Sequence, residues 1–293
     1  MLAATRTAAN TTVTLLKLPI GVAIALSALA GMAAADGAFS PLRALVFALA
    51  VLGASGAAGA FNHYYERDHD RLMKRTRARP FARGTLKPGA IWPVTFLGLL
   101  AAALAMAYGA GGSLAAVFVF LGAFTYGVVY TVWLKRRSVW NIVVGGAAGS
   151  FAILAGAAAV DPALQATPVI LAVVMFLWTP PHFWSLAAAK GDDYRQAGVP
   201  MLPITVPERA WTSAILAHTA VLALLSLLPL AYGMGPAYGI CAALGGGYFL
   251  WGSWKLFRAP SRKTAMANFG ASLAQFCLLT TGVFLDAAVK WAF

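Results

Sequence analysis

Nine apolar stretches, each close to the roughly 20 residues that a helix needs to cross a bilayer, fall near 14–35, 42–61, 91–109, 113–133, 139–160, 166–188, 212–232, 236–256 and 267–288. They leave only short connections, so no soluble domain remains, and residues 1–293 are expected to form a single transmembrane domain. Hydrophobic residues make up 60% of the chain and charged ones 11%, with a mean hydropathy of +0.75, which lies outside the range of soluble domains. The predicted fold class is an all-α polytopic membrane protein of about nine helices around a central cavity. Pro41, Pro88, Pro162, Pro168, Pro236 and Pro260 mark the connections. The N-terminal stretch has no convincing cleavage site ahead of a polar domain, so the first apolar run reads as a retained span. Cys241 and Cys277 lie in apolar runs and imply no disulfide framework.

The charges supply an orientation. The formal net charge is +13, yet the basic residues are confined to short loops between apolar runs. That pattern excludes nucleic acid as the natural partner and points to membrane lipid and to positive-inside topology. Of the 22 lysines and arginines, 20 fall on one side of a nine-helix arrangement, leaving Arg43 and Lys290 for the other. The N-terminus is thereby expected in the cytoplasm and the C-terminus outside, in a bacterial inner membrane.

One loop does more than set orientation. Residues 61–84, FNHYYERDHDRLMKRTRARPFARG, hold three of the nine acids among seven basic residues. Asn62, Glu66 and Asp70 recur every four residues and drift by only about 40° per step on a helix, so they line one face. Asp68 falls on another face. Carboxylates contribute little to topology, so their presence here calls for a second reason. Oxygen ligands for Mg²⁺ beside a set of arginines suit a diphosphate brought in with a hard divalent cation. A second acidic pair, Asp192 and Asp193, follows the sixth apolar run and Lys190 at the same membrane face. Two acid-bearing motifs at the cytoplasmic ends of helices 2 and 6 suggest a pseudo-repeat whose halves face each other. His182, in WTPPHFWS, sits among Trp178, Phe183 and Trp184 beside a Pro180-Pro181 pair expected to break or kink its helix. That grouping fits either a large flat ligand or an aromatic belt at the interface. Tyr126, Tyr130, Trp133 and Trp140 read as interface anchors, and His218 and Asn141 as polar groups satisfied within the bundle.

The stretch Asn62 to Pro80, with Met73, Arg75, Thr76, Arg79 and Pro80 in an M-x-R-T-x-x-R-P run, resembles the first acidic motif of the intramembrane aromatic prenyltransferase (UbiA) superfamily. Its details look like the branch that farnesylates protohaem IX to give haem O. YTVWLKRRSVWNIVVGG, WTPPHFWSLA and DDYRQAGVPMLP extend the likeness, which covers roughly Lys17 to Pro203. Glu66 stands where the family usually has Asp, and Ala152 and Ile153 where the branch commonly has a Pro-Pro pair.

The resemblance implies farnesyl diphosphate as donor and haem b as acceptor, with Mg²⁺ as cofactor. Asn62, Glu66, Asp70, Asp192 and Asp193 would coordinate the Mg²⁺-diphosphate, with Asp68 as a supplementary ligand. Lys17, Arg71, Arg75, Arg79, Lys135, Arg136 and Lys190 would meet phosphate or haem propionates, and His182 and Trp184 would line the haem face. Haem A synthase or oxidase assembly proteins would be downstream partners. Two other readings share parts of this pattern: a prenyltransferase acting on a quinone or chlorophyll precursor, and an anion transporter. A transporter would place its ionisable groups near the midplane, whereas both acidic clusters here sit at span ends.

Overall fold

The computed structural model describes residues 2–292, and every regular element among them is helical. In chain order these are α1 (Leu2–Leu15), α2 (Leu18–Ala34), α3 (Pro41–Tyr65), α4 (Arg67–Asp70), α5 (Ile91–Phe124), α6 (Asn141–Gly145) and α7 (Ala147–Ala158). They are followed by α8 (Ala166–Ala189), α9 (Gly191–Gln196), α10 (Leu202–Thr205), α11 (Glu208–Leu225), α12 (Pro236–Arg258) and α13 (Arg262–Ala292). A π-helical run, Thr125–Leu134, prolongs α5, and a 3₁₀ turn, Leu228–Tyr232, follows α11. Among the described residues, six stretches are long and apolar enough to cross a membrane. A seventh arises if Ala9–Leu15 and α2, bent by 54° at their junction, count as one span. Two differences separate this from nine apolar windows. The windows at 91–109 and 113–133 lie on one stretch, Ile91–Leu134, broken at Gly112, and α12, which holds five glycines with Lys255 and Arg258 at its end, is not among the six.

That stretch is not straight. Gly112 sits inside it at φ +83°, a left-handed backbone that glycine adopts without steric cost, and the chain reverses there against α3. Before the reversal, Arg43 donates from Nε and Nη2 to the Ala110 carbonyl at 3.1 and 2.9 Å. Along the same limb Gly53 faces Ala103, and Tyr64 meets Phe96 at 6.3 Å between ring centroids. After it, Ala115 and Val119 join Phe47 in one core cluster, and Gly127 returns to Ala58 and Phe61. The two limbs therefore flank α3 in opposite directions, and the π-helical end of the second lies level with Asn62.

Small residues set the spacing of the bundle. At the crossing of α2 and α7, a Cβ on Gly31 would stand 2.0 Å from the Ile153 carbonyl oxygen, and one on Gly156 would stand 1.7 Å from that of Ala28. With little hydrophobic drive between helices in lipid, close backbone approach supplies the packing energy. The Pro180-Pro181 pair, expected to break its helix, lies inside α8 without interrupting it. Proline removes the two backbone donors that would reach Phe176 O and Leu177 O; neighbouring hydroxyls bond other carbonyls of the helix, Thr179 Oγ1 donating to Met175 O at 3.1 Å and Ser185 Oγ to Pro181 O at 2.6 Å.

Gly156→Ala is expected to cost roughly 1–3 kcal/mol by overpacking the crossing. Gly247→Ala, where nothing lies within 4 Å of the added methyl, is expected to be neutral or stabilising by a few tenths of a kcal/mol. Thermal unfolding of the two variants in detergent distinguishes a packing constraint from a general intolerance of alanine.

Candidate functional site

The first acidic motif begins in the last turn of α3. Glu66 is the junction between α3 and α4, yet the backbone bonds Glu66 N to Asn62 O (3.0 Å) and Asp70 N to Glu66 O (2.8 Å) keep the four-residue rhythm across it. Asn62, Glu66 and Asp70 consequently point one way, with 2%, 0% and 0% of their surfaces exposed. Asp68 points out, 65% exposed in its side chain, and pairs with Arg67 and Arg71. Asp68, expected as a supplementary ligand, thus lies on the solvated side of the motif, apart from the buried three.

Each buried group of the motif has a cationic neighbour from elsewhere in the chain. Lys17, at φ +50° between α1 and α2, donates from Nζ to Asn62 Oδ1 at 2.7 Å and to Tyr126 Oη at 2.6 Å. Asn62 Nδ2 donates to Thr131 Oγ1 at 3.0 Å, and Thr131 Oγ1 donates to the Tyr126 carbonyl five residues back at 2.8 Å. That i→i−5 contact follows the π-helical winding of Thr125–Leu134, a geometry common where a helix carries function. Lys135, just past that helix, meets Glu66 Oε2 at 2.5 Å, and Arg136 Nε stands 3.7 Å from Glu66 Oε1. Burial pushes the Lys135 ammonium below its ordinary pKa, while the Glu66 carboxylate acts the other way. Arg79 Nη1 spans both oxygens of Asp70, at 3.0 and 2.8 Å. Arg136 also contacts His69 at 2.9 Å and lies over the Tyr65 ring.

The second acidic motif is divided. Asp193 Oδ2 accepts the Arg75 backbone N–H at 3.3 Å, which joins α9 to the loop after α4. Asp192 is exposed and pairs with Arg195 and Arg262, away from the first motif. Of the two, both named as candidate ligands with the choice between them open, Asp193 is the one that contacts the first motif's loop. The side chains of Arg71, Arg75 and Lys190 are exposed as well; Arg71 braces the Ala82 carbonyl at 3.0 Å. Among the described residues, no three His, Cys, Asp or Glu side chains stand close enough to hold a metal by themselves. Glu66 Oε1, however, is buried with no hydrogen-bond partner.

His182 and Trp184 do not share a surface. Two residues apart on a helix they point about 200° from each other. His182 stacks on Trp178 at 4.2 Å, and its Nδ1 is 2.6 Å from Ser272 Oγ of α13. Trp184 packs with Trp211, Ile215 and Leu256 and meets His218 edge-on. The two residues expected to line the haem face thus lie on different sides of α8. Tyr126, read as an interface anchor, is instead a partner of Lys17. Thr131 and the α13 residues Phe269 and Ser272 escaped sequence reasoning; a π-helical register and contacts across about 90 residues leave no local pattern.

The model of the UbiA prenyltransferase family matches residues 24–279. Protoheme IX farnesyltransferase 2 of Paramagnetospirillum magneticum (strain ATCC 700264 / AMB-1) is 56% identical over 273 residues, 92% of this chain and 94% of that protein. Protoheme IX farnesyltransferase 1 of the same organism is 47% identical over 273 residues, covering 93% and 96%. Among solved structures, a UbiA homologue from Archaeoglobus fulgidus bound to GPP and Mg²⁺ has the same fold, with a TM-score of 0.69 at 15% identity over 95% of this chain and 99% of that one.

Lys135→Met is expected to destabilise the chain by roughly 3–5 kcal/mol, because it leaves the Glu66 carboxylate buried beside a cation that is 3.7 Å away and half-solvated. Adding Glu66→Gln should recover most of that loss. Thermal unfolding of the single and double variants measures the coupling.

Proposed function

The chain belongs to the UbiA prenyltransferase family, and on that premise we propose that it transfers the farnesyl group of farnesyl diphosphate to the vinyl group of protohaem IX (haem b), giving haem O. The observation that carries this reading is the set of three buried oxygen-bearing side chains on one helix end, Asn62, Glu66 and Asp70, ringed by Lys17, Arg79 and Lys135. Names carried by relatives at 56% and 47% identity support the choice of acceptor.

Mg²⁺ fits this site: Glu66 Oε1 is a buried carboxylate oxygen with no hydrogen-bond partner, and oxygen donors are what a hard cation takes. Asn62, Glu66, Asp70 and Asp193 are the residues that would hold it, and when bound it would neutralise charge on the diphosphate. Lys17, Arg79, Lys135 and Arg136 would meet the remaining phosphate charge. As the allylic C1–O bond breaks, its electron pair leaves with the diphosphate, and these fixed cations take up the developing negative charge. The terminal vinyl carbon of haem b donates its π pair to C1 and forms the new C–C bond. Water adds to the inner vinyl carbon and loses a proton, which completes the hydroxyethylfarnesyl group.

In this reading nine spans cross the membrane: the bent α1–α2 pair as one, α3, the two limbs that meet at Gly112, α6 with α7 as one, α8, α11, α12 and α13. Both acidic motifs lie at the cytoplasmic face of a bacterial inner membrane, related as a pseudo-repeat, with Asp193 as the contact between halves. The N-terminus is then cytoplasmic, the C-terminus outside, and residues 1–293 act as one domain that hands its product to haem-copper oxidase biogenesis.

Asp70→Ala and Asp193→Ala are each expected to lower haem O formation by about 100-fold or more, the scale of losing one charge-stabilising contact in a closed site, while Asp68→Ala and Asp192→Ala stay within about threefold. Mass analysis of haems extracted from membranes that carry each variant at matched levels reads the result. Full activity in Asp70→Ala would remove the metal-diphosphate site, and a prenylated quinone precursor in place of haem O would reassign the acceptor.

A further inference from the structure

A pocket of about 240 Å³ opens between the loop that follows Arg137 and the outer sides of α8, α10 and α11, walled by Val139, Trp140, Leu202, Val206, Ala210 and Ala214. Its side-chain nitrogens belong to Trp184 and His218 on the inner wall and to the exposed Trp140 at the rim. Trp184 is 2% exposed, and its indole Nε1–H has no acceptor. The His218 Nδ1 stands 2.8 Å from the Ala214 carbonyl. A carbonyl only accepts, so Nδ1 carries a proton, and in the tautomer protonated there alone Nε2 is an acceptor. The two rings meet edge-on with centroids 5.3 Å apart. One apolar pocket thus presents a buried donor with no acceptor, costly to leave unfilled, beside a partly buried imidazole.

A hydroxyl group satisfies the two at once: its oxygen accepts from Trp184 Nε1–H and its hydrogen goes to His218 Nε2. The proposed reaction has two reactants without a hydroxyl next to an apolar chain, since haem b carries a vinyl group and the donor a diphosphate. Its product has one, on the carbon that links the porphyrin to the farnesyl chain. Resting on the proposed reaction, we propose that this pocket is a product site, in which Trp184 and His218 recognise the hydroxyl of the hydroxyethylfarnesyl substituent after transfer and so distinguish haem O from haem b. The site lies on the side of α8 that faces away from His182, and the loop that supplies Trp140 begins at the end of the π-helical run that carries Thr131. Product can therefore be held apart from the diphosphate-binding groups.

The test is a comparison of affinities in the purified full chain in lipid nanodiscs, with haem O and haem b each titrated by absorbance and by quenching of tryptophan fluorescence. The intact chain is expected to bind haem O about five- to tenfold more tightly than haem b, the scale of two modest hydrogen bonds. His218→Leu is expected to remove that preference by weakening haem O alone. His218→Asn, which keeps an acceptor oxygen, is expected to restore part of it, and unchanged haem b affinity reports that both variants are folded. Equal affinities in the intact chain, or an equal loss of both haems in His218→Leu, would overturn the product site; the second outcome would make His218 a ligand for iron or a packing residue. A hydroxylated lipid that copurifies with the intact chain, is absent from His218→Leu and is not displaced by haem O would overturn it in favour of lipid. Absence of haem O formation altogether would instead defeat the proposed reaction.

Discussion

Two carboxylates with no exposed surface, Glu66 and Asp70, sit at the end of an apolar helix, and the rest of the bundle is arranged to make that tolerable. A lone carboxylate in such a place would lose several kcal/mol of hydration, so cations must be brought to it with good geometry. Lys135 arrives at the end of the π-helical run, Arg79 from the loop after α4, and Lys17 from the bend between α1 and α2. Three separate segments are fixed in space by the demand of one helix turn. The same low-dielectric surroundings that make the pairs obligatory also make their charges strong toward a polyanion.

Delivery of those cations depends on backbone geometry remote from the site. Gly112 reverses the chain at the opposite end of α3, and only because of that reversal does the second limb run back to place Tyr126, Thr131 and Lys135 beside Asn62 and Glu66. Arg43 secures the turn by gripping the Ala110 carbonyl with two donors. Between α2 and α7, glycine hydrogens stand where any methyl would strike a carbonyl, so the helix that follows Lys17 cannot shift laterally. Site precision is thus inherited from helix spacing.

The basic residues divide by depth in the same way. Lys17, Arg79, Lys135 and Arg136 are drawn inward by an acid, an amide or an aromatic face. Arg71 and Arg75 remain at the surface, Arg71 bonded to the Ala82 carbonyl and Arg75 through its backbone N–H to Asp193. Asp192 and Asp193, adjacent in sequence, show the same split: one pairs with Arg262 outside, while the other accepts a backbone N–H from the first motif's loop.

Much of this was legible in the sequence. Hydropathy marks the apolar helices because the bilayer imposes a length, and the four-residue spacing of Asn62, Glu66 and Asp70 places them on one face because helical winding is fixed, with Asp68 on another; that the first face is buried and Asp68 solvated is read from the structure. The motifs also carry the family. What the sequence could not decide is every relation made across distance. That Asp193 and not Asp192 meets the first motif, that Tyr126 receives Lys17, and that His182 and Trp184 part to opposite helices follow from which neighbours α8 and α9 acquire on packing. The Gly112 reversal and the π-helical register belong to the same class, since no local pattern of residue types records a backbone that is held in place by contacts from elsewhere. Sequence determined which residues are charged and which share a helical face; tertiary structure decided which of them are buried and with what partners, because pairing in a low-dielectric interior is settled by position to within an ångström, and position is a property of the whole bundle.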